Sequence, residues 1–169
     1  MDRAALRRLQ EPLKARYREE PEAALVTLRA TGTLGEGVSC KVATGRAIVE
    51  AGLHPASGGD GSLLCSGDML LEALAACAGV TLRAVATSLE IVVDGSVHVE
   101  GDLDFRGTLA VKGDALVGFR AIRVRFELES DAEPDRLDTL LRLTERYCVV
   151  YQTLAVTPRL EVRWERAAA

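Results

Sequence analysis

The sequence is poor in the residues from which many functional sites are built. Aromatic residues make up only 4% of its 169 positions, and it has two histidines. Structural zinc sites combine Cys and His ligands at short spacings, such as Cys-x-x-Cys. No two of the four cysteines have that spacing, so we expect no metal site. The formal net charge is −4, from 21 basic and 25 acidic side chains. This balance lacks the basic excess expected of a protein that binds nucleic acid or an anionic membrane.

A long uninterrupted apolar run is also missing. The longest uncharged stretch in the apolar centre covers residues 73–82, between Glu72 and Arg83, while ~20 residues are needed to cross a bilayer. The first ten residues, MDRAALRRLQ, are too highly charged to include the apolar region of a signal peptide. We therefore expect no membrane association and a cytoplasmic location, where cysteines stay reduced rather than forming a disulfide framework.

The first half of the chain shows two kinds of pattern. Residues 1–23 are charged, with apolar side chains at helical intervals and Pro12 as an interruption, which predicts an N-terminal helical arm. Residues 24–169 are expected to form one domain. It opens with short β-type runs separated by glycines up to residue 52, a pattern typical of an antiparallel meander.

A long apolar segment follows the glycine-rich loop at residues 54–62. Ser66 is a candidate N-cap, and the segment from there to about Leu89 has almost no polar face in its first half. We predict a helix that is buried on nearly all sides and lies at the centre of the fold.

The remaining chain alternates strands and a helix. Residues 90–105 and 121–129 alternate apolar and polar side chains, as strands do. A helix is predicted after Ser130 or Asp131, with Pro134 in its first turn and Cys148 at its C-terminal end. A last strand is predicted at residues 158–164 (PRLEVRW). The expected fold class is α+β, with antiparallel sheets packed around the central helix.

Two segments that each carry a cysteine, LEALAACAGVTLRAVA and LTERYCVVYQTLAV, resemble the OsmC/Ohr family of hydroperoxide reductases. The likeness extends through GGDGS and SGDMLLEALAAC before the first cysteine and DFRGTLAV between the two, so that it covers roughly residues 24–165. It implies an OsmC-like fold in an intertwined homodimer, with active sites at the dimer interface. It also implies a thiol-dependent peroxidase that acts on organic hydroperoxides without a metal or an organic cofactor.

The resemblance also assigns roles to the two cysteines. Cys77 corresponds to the peroxidatic cysteine, which becomes a sulfenic acid, and Cys148 to the resolving cysteine, which converts that acid to a disulfide. A dithiol reductant, thioredoxin-like or of the lipoyl type, is then expected to regenerate the pair. Cys40 and Cys65 have no motif support and are expected to be structural.

Activation of Cys77 is the open question at this stage. A cysteine in the middle of an apolar helix has its pKa raised by burial and lies far from the N-terminus of its own helix, so we expect a cation beside it. In the family, an arginine on an early strand has this role and is held by an acid at the start of the cysteine helix. Position makes Arg46 the first candidate for the arginine and Arg106 the second.

The acid is where the sequence departs from the family pattern. The position ten residues before Cys77 is Gly67, and the nearest acid is Asp68. Nine residues at 100° each place Asp68 on the opposite side of the helix from Cys77. Asp68 is therefore expected either to position Arg46 or only to complement the helix dipole.

Two alternatives without catalysis stay open. Cys148 could simply complete an apolar helix stripe, as a small buried residue. The whole protein could be a non-catalytic member of the fold that binds a small apolar ligand at its dimer interface. His54 is expected in a loop, and His98 on a strand facing solvent.

Overall fold

The computed structural model describes residues 2–5, 8, 19, 31–34, 39–43, 48–109 and 116–166, which form an α+β fold as predicted. Most of the predicted N-terminal arm, and its boundary at residues 23 and 24, lie outside the described residues. Within the arm, residues 3–5 are helical, and Arg3 makes an ion pair of 2.8 Å with Glu90.

The first sheet has the strand order β1-β2-β3-β4. Strands β1 (Thr31–Leu34), β2 (Ser39–Ala43) and β3 (Ile48–Gly52) form the predicted antiparallel meander. Strand β4 (Leu64–Cys65) pairs parallel to β3 and was not expected, because two residues are too few to show an alternating pattern.

The long helix α1 spans Ser66–Leu89 and ends where the sequence predicts. Its N-cap is Cys65 rather than Ser66, and no side chain caps it. It stops at Glu90, which adopts a left-handed conformation (φ 55°) and donates its N–H to the carbonyls of Ala86 and Thr87. This geometry is a common way to end a helix.

Helix α1 is buried along one stripe only, so the expectation of burial on nearly all sides is wrong for the single chain. The buried residues recur every four positions: Leu74, Ala78, Leu82 and Ala86. Val80, on another face, is 72% exposed. Such spacing gives one contact line along a helix, and here that line packs against β5 and two later helices.

The length and composition of α1 would also suit a membrane span, with a mean hydropathy of 1.6 over an 18-residue window. The helix holds only three charged residues, Asp68, Glu72 and Arg83, and an argument from the longest uncharged stretch overlooks a helix of this kind. The core helix of a soluble protein can have the same length and composition, so this property by itself assigns no membrane location.

The second sheet consists of β5 (Asp94–Leu103) and β6 (Phe119–Glu129), paired antiparallel with an irregularity between Asp102 and Leu103. Its inward side chains pack on α1: Val97, Val99, Ile122, Val124 and Phe126. Its outer face carries cross-strand ion pairs, including Arg123 with Asp102 at 2.7 Å. A short helix, α2 (Phe105–Thr108), begins the connection between the two strands.

Helix α3 (Pro134–Tyr147) has Pro134 in its first turn, as predicted. Its N-cap is Glu133, whereas the predicted caps were Ser130 or Asp131. The predicted apolar stripe is confirmed, since Leu140, Thr144 and Cys148 are all buried. Helix α4 (Val149–Ala155) follows at once and was not predicted. Leu140 packs in a core cluster with Leu82, Ala86, Ile91 and Val93, so that cluster fixes α3 on α1.

The predicted last strand is wrong. Residues 157–166 form no strand with the described part of the chain. Leu160, Val162 and Trp164 have the alternation of a strand, yet they are 80%, 96% and 84% exposed. A strand exists only when its N–H and C=O groups are paired with a neighbour, and alternation alone does not supply the neighbour.

Candidate active site

Cys77 and Cys148 lie side by side, although 70 residues separate them in the sequence. Cys77 is half-buried in the middle of α1 and packs against a cluster formed by Leu74, Ala78 and Cys148. Cys148 is 1% exposed. Both thiols are free, and each contributes to the electrostatic environment of the other.

Cys148 sits at the junction of two helices. It is the C-cap of α3, where its N–H donates to the Thr144 carbonyl at 2.9 Å. It is also the N-cap of α4, where its carbonyl accepts the N–H of Gln152 at 2.9 Å. The extended conformation of Cys148 (φ −73°, ψ 108°) turns the chain between the two helices and aims the start of α4 at Cys77.

The pKa of the Cys77 thiol is lowered. Burial acts in the opposite direction, but it is outweighed by hydrogen bonds to the sulfur from the Val150 N–H, the Cys148 thiol, the Val149 N–H and the Thr81 hydroxyl. The first N–H groups of a helix have no partner within it, which leaves them free to donate to an anion. Burial does raise the Cys77 pKa, as the sequence predicts, but the donors at the start of α4 were not expected, and the cation stays a prediction because Arg46 lies outside the described residues.

The pKa of Cys148 moves the other way. Burial is the main cause of its raised pKa. The Tyr151 N–H opposes the rise, the neighbouring Cys77 sulfur adds to it, and the Val150 N–H has the smallest, lowering effect. Of the two thiols, Cys77 is therefore the one that loses its proton more readily, while Cys148 keeps its proton to higher pH. A thiolate is the nucleophilic form of cysteine, so this asymmetry suits attack by Cys77.

The three charged candidates are not gathered around this pair by the described structure. Arg46 lies outside the described residues, and so does the side chain of Arg106, whose backbone belongs to α2. Asp68 is exposed in the first turn of α1 and makes no ion pair with any residue of the described part of the chain. Its place nine residues before Cys77 keeps it off the thiol face, as the helical spacing predicts.

Three contributors to the site were missed by the sequence reasoning. Thr81 is one helical turn after Cys77, a spacing that could have identified it. Val149 and Val150 act through their backbone N–H groups at the start of α4. Their residue type carries no signal for such a role, and α4 itself was not predicted.

The other cysteines and the histidines lie elsewhere. Cys65 precedes α1, and twelve residues of helix place it about 18 Å along the axis from Cys77. Cys40 belongs to β2 in the first sheet. His54 caps a short 3₁₀ turn in the glycine-rich loop, and His98 is exposed on β5, as predicted. Within the described segments, no three Cys, His, Asp or Glu side chains are grouped to hold a metal ion.

A groove of about 670 Å³ runs beside Cys148, between β6 and helices α3 and α4. Cys148 lines it and Cys77 does not. Its apolar lining includes Leu74, Phe119, Ile122, Val124, Leu141 and Leu154. Arg120, Arg125 and Glu145 add charge to its lining. The groove is suited to a ligand with an apolar body.

Comparison with known proteins places this chain in a family. A family model described as OsmC-like protein matches residues 59–163, which include both cysteines of the pair. A search of curated proteins finds no significant match.

Solved structures give the same fold. An OsmC-like protein from Mycoplasma pneumoniae is 20% identical, with a TM-score of 0.65, over 78% of this chain and 89% of that one. An organic hydroperoxide resistance protein OsmC from Legionella pneumophila is 19% identical, with a TM-score of 0.57, over 78% and 90%. The organic hydroperoxide resistance protein OhrB of Bacillus subtilis is 18% identical, with a TM-score of 0.52, over 79% and 94%. At these identities the likeness establishes a common fold.

Proposed function

The chain belongs to the OsmC-like family, and from that premise we propose that it is a thiol-dependent peroxidase that reduces organic hydroperoxides. The observation that carries the proposal is the adjacency of two free thiols of opposite pKa shift, Cys77 lowered and Cys148 raised. Cys77 is suited to attack the hydroperoxide, and Cys148 to convert the resulting sulfenic acid to a disulfide.

In the first step the Cys77 thiolate attacks the terminal oxygen of the hydroperoxide. The O–O bond breaks, a sulfenic acid forms on Cys77, and the alkoxide leaves and is protonated to the alcohol. The sulfur is oxidised by two electrons and the peroxide is reduced by two. The N–H groups of Val149 and Val150 hold the thiolate in place before attack.

In the second step the Cys148 sulfur attacks the Cys77 sulfenic acid. A disulfide forms between the two sulfurs. The hydroxyl of the sulfenic acid leaves as water, with the proton of the Cys148 thiol. An external dithiol, of thioredoxin-like or lipoyl type, returns both sulfurs to thiols and is itself oxidised to a disulfide. No metal or bound organic cofactor takes part in this scheme.

Two serine variants test the order of the steps. Cys77→Ser is expected to abolish peroxide consumption. Cys148→Ser is expected to permit one stoichiometric reduction and then to accumulate sulfenic or sulfinic acid, visible as a mass increase at Cys77. Cys65→Ser is the matched control and should retain full turnover. Unchanged turnover in Cys77→Ser would refute the proposal.

We further propose that Arg46 assists Cys77 and that Asp68 positions Arg46. Arg46→Met removes the charge while keeping an apolar stem, so it should raise the Cys77 pKa and slow its alkylation at neutral pH. Arg106→Met is the matched comparison. If only Arg106→Met slows alkylation, Arg106 has the role, and if neither does, the N–H donors of α4 activate the thiol without a cation.

The active protein is proposed to be a cytoplasmic homodimer. Apolar side chains left open by the single chain support this assembly: Val80, Leu160, Val162 and Trp164. Exposed apolar surface of this kind is commonly covered by a partner subunit. A folded monomer in sedimentation at micromolar concentration would contradict the dimer.

The groove beside Cys148 favours a second candidate function, binding of a small apolar ligand without catalysis. The two candidates differ in the reactivity of Cys77. A peroxidase should be alkylated at Cys77 by a small reagent at neutral pH while folded, whereas a protein that only binds a ligand should show an inert thiol and no peroxide consumption.

A further inference from the structure

His54 organises the start of the glycine-rich loop. Its carbonyl accepts three donors, the Ser57 N–H at 2.8 Å, the Ser57 hydroxyl at 2.9 Å and the Gly59 N–H at 3.1 Å. Its ring nitrogen Nδ1 accepts the Ala56 N–H at 3.0 Å, which makes His54 the N-cap of the 3₁₀ turn Pro55–Ser57. The loop therefore begins with a turn that one half-buried side chain holds closed.

The His54 ring also joins the loop to a distant part of the chain. It stacks on the ring of Phe105, with the ring centroids 4.8 Å apart and the planes inclined by 21°. This separation is typical of stacked aromatic pairs. Phe105 is the first residue of α2 and directly precedes Arg106, the second candidate for the cation beside Cys77. We refer to the contacts of His54 with Ala56 and Phe105 as the His54 clasp.

The hydrogen bond from Ala56 exists in only one charge state of His54. A neutral imidazole has one donor and one acceptor nitrogen, whereas the protonated ring has two donors and no acceptor. When Nδ1 gains a proton, two N–H groups face each other, so the ring or the turn has to move and the Ala56 N–H loses its partner. The stack on Phe105 tolerates both charge states, because the face of a phenyl ring attracts a cation. Protonation therefore breaks the contact that closes the turn and leaves the contact with α2.

Three charged residues flank the clasp, Asp60 in the loop and Asp104 and Arg106 beside the stack. Hydrogen bonds from the hydroxyl and the N–H of Ser62 lower the pKa of Asp60. The Asp104 carboxylate lies 3.9 Å from an arginine of β6, and Arg106 stays protonated. Carboxyl groups ordinarily titrate near pH ~4, whereas histidine changes charge between about pH 5 and 8. A change in the loop within that higher range is therefore expected to follow His54.

We propose that the His54 clasp is a pH-sensitive switch: neutral His54 closes the turn at the start of the glycine-rich loop, and acidification opens the turn by protonating Nδ1. Because only the neutral ring accepts the Ala56 N–H, this stabilisation of the turn is present at neutral pH and is lost as the pH falls. The loop leads through β4 into α1, so the switch acts on the segment that precedes the helix of Cys77. The inference is independent of the proposed peroxidase function.

The test measures solvent exchange of the backbone amides of residues 56–59 in the full-length protein by NMR, as a ratio to the exchange of an unfolded chain at the same pH. Loss of an N-cap contact changes the opening of a turn by about fivefold. The protection of these amides should therefore fall about fivefold between about pH 7.5 and about pH 5. His54→Asn keeps an N-cap acceptor that cannot be protonated, so its protection should be high at both pH values. His54→Ala has no acceptor, so its protection should be low at both.

His98→Asn is the matched control, because His98 is the other histidine of the chain and is exposed on β5. Its amides at residues 56–59 should respond to pH as they do in the unmodified protein. Equal protection of the unmodified protein at both pH values would overturn the proposal. A loss of protection on acidification in His54→Asn would also overturn it, because a group other than His54 would then be responsible.

Discussion

Oxidation by one equivalent of an organic hydroperoxide should stabilise the folded protein by an amount set by the number of residues in the loop that the disulfide closes. A disulfide between Cys77 and Cys148 closes a loop of 72 residues, counting both cysteines. The loss of loop-closure entropy in the unfolded chain then stabilises the native state by about 4 kcal/mol. Cys77 already packs against the cluster that contains Cys148, and the two thiols interact, so we expect the bond to require little rearrangement of the fold.

The assay is urea unfolding of the reduced and oxidised protein at equal concentration, with the disulfide mapped by mass spectrometry. At 2–4 °C per kcal/mol for a chain of this size, the same difference should appear as a rise of roughly 8–16 °C in Tm. Addition of a dithiol should reverse it. Cys148→Ser, treated identically, should show no stabilisation.

Two results would refute this reasoning. One is a mapped Cys77–Cys148 bond with no gain in stability, which would mean that the bond strains the native fold by as much as it restricts the unfolded chain. The other is a different pairing, such as a disulfide between Cys65 and Cys77. The part of α1 between these two cysteines keeps them too far apart for such a bond unless the helix unfolds.

Three further predictions concern the core, the site and the second sheet. Leu140→Ala should lower the free energy of unfolding by about 2–5 kcal/mol in urea titrations, because Leu140 is 0% exposed, whereas Val149→Ala, at a position 69% exposed, should change it by less than about 0.5 kcal/mol. Limited alkylation of the folded protein at neutral pH should modify Cys77 before Cys148, since the Cys77 pKa is lowered and the Cys148 pKa is raised, and the reverse order would contradict the assigned roles. Gly95→Ala should destabilise the β5–β6 pair in chemical denaturation, because Gly95 has φ +135° and an added Cβ would lie 1.9 Å from the Glu127 carbonyl oxygen.

The elements that the sequence predicts well are those whose pattern is long and local. Helix α1 is recognisable because 24 residues without proline carry an apolar stripe, and its end at Leu89 follows from the change to an alternating pattern. Strand β4 and helix α4 are too short to show the alternation of a strand or the three-to-four-residue spacing of a helix. The segment at residues 158–164 shows the opposite error, a clear pattern without a partner strand in the described chain.

The candidate site divides in the same way. The pairing of Cys77 with Cys148 came from a family resemblance, because nothing in a separation of 71 positions indicates contact. The effect of burial, which raises the Cys77 pKa, was predictable from the local sequence. The donors that outweigh it were not, because most of them are backbone N–H groups of α4, and backbone groups carry no signature in the side-chain sequence.

The double cap at Cys148 also gives the protein a built-in reporter. The Val149 and Val150 amides face the sulfur of Cys77, and their resonance positions and exchange with solvent depend on the charge of that sulfur. A thiolate, a sulfenic acid and a disulfide present three different acceptors to the same two N–H groups. Nitrogen-15 spectra of these two valines could therefore follow each oxidation state of the thiol in the intact protein, with no label on the cysteine itself.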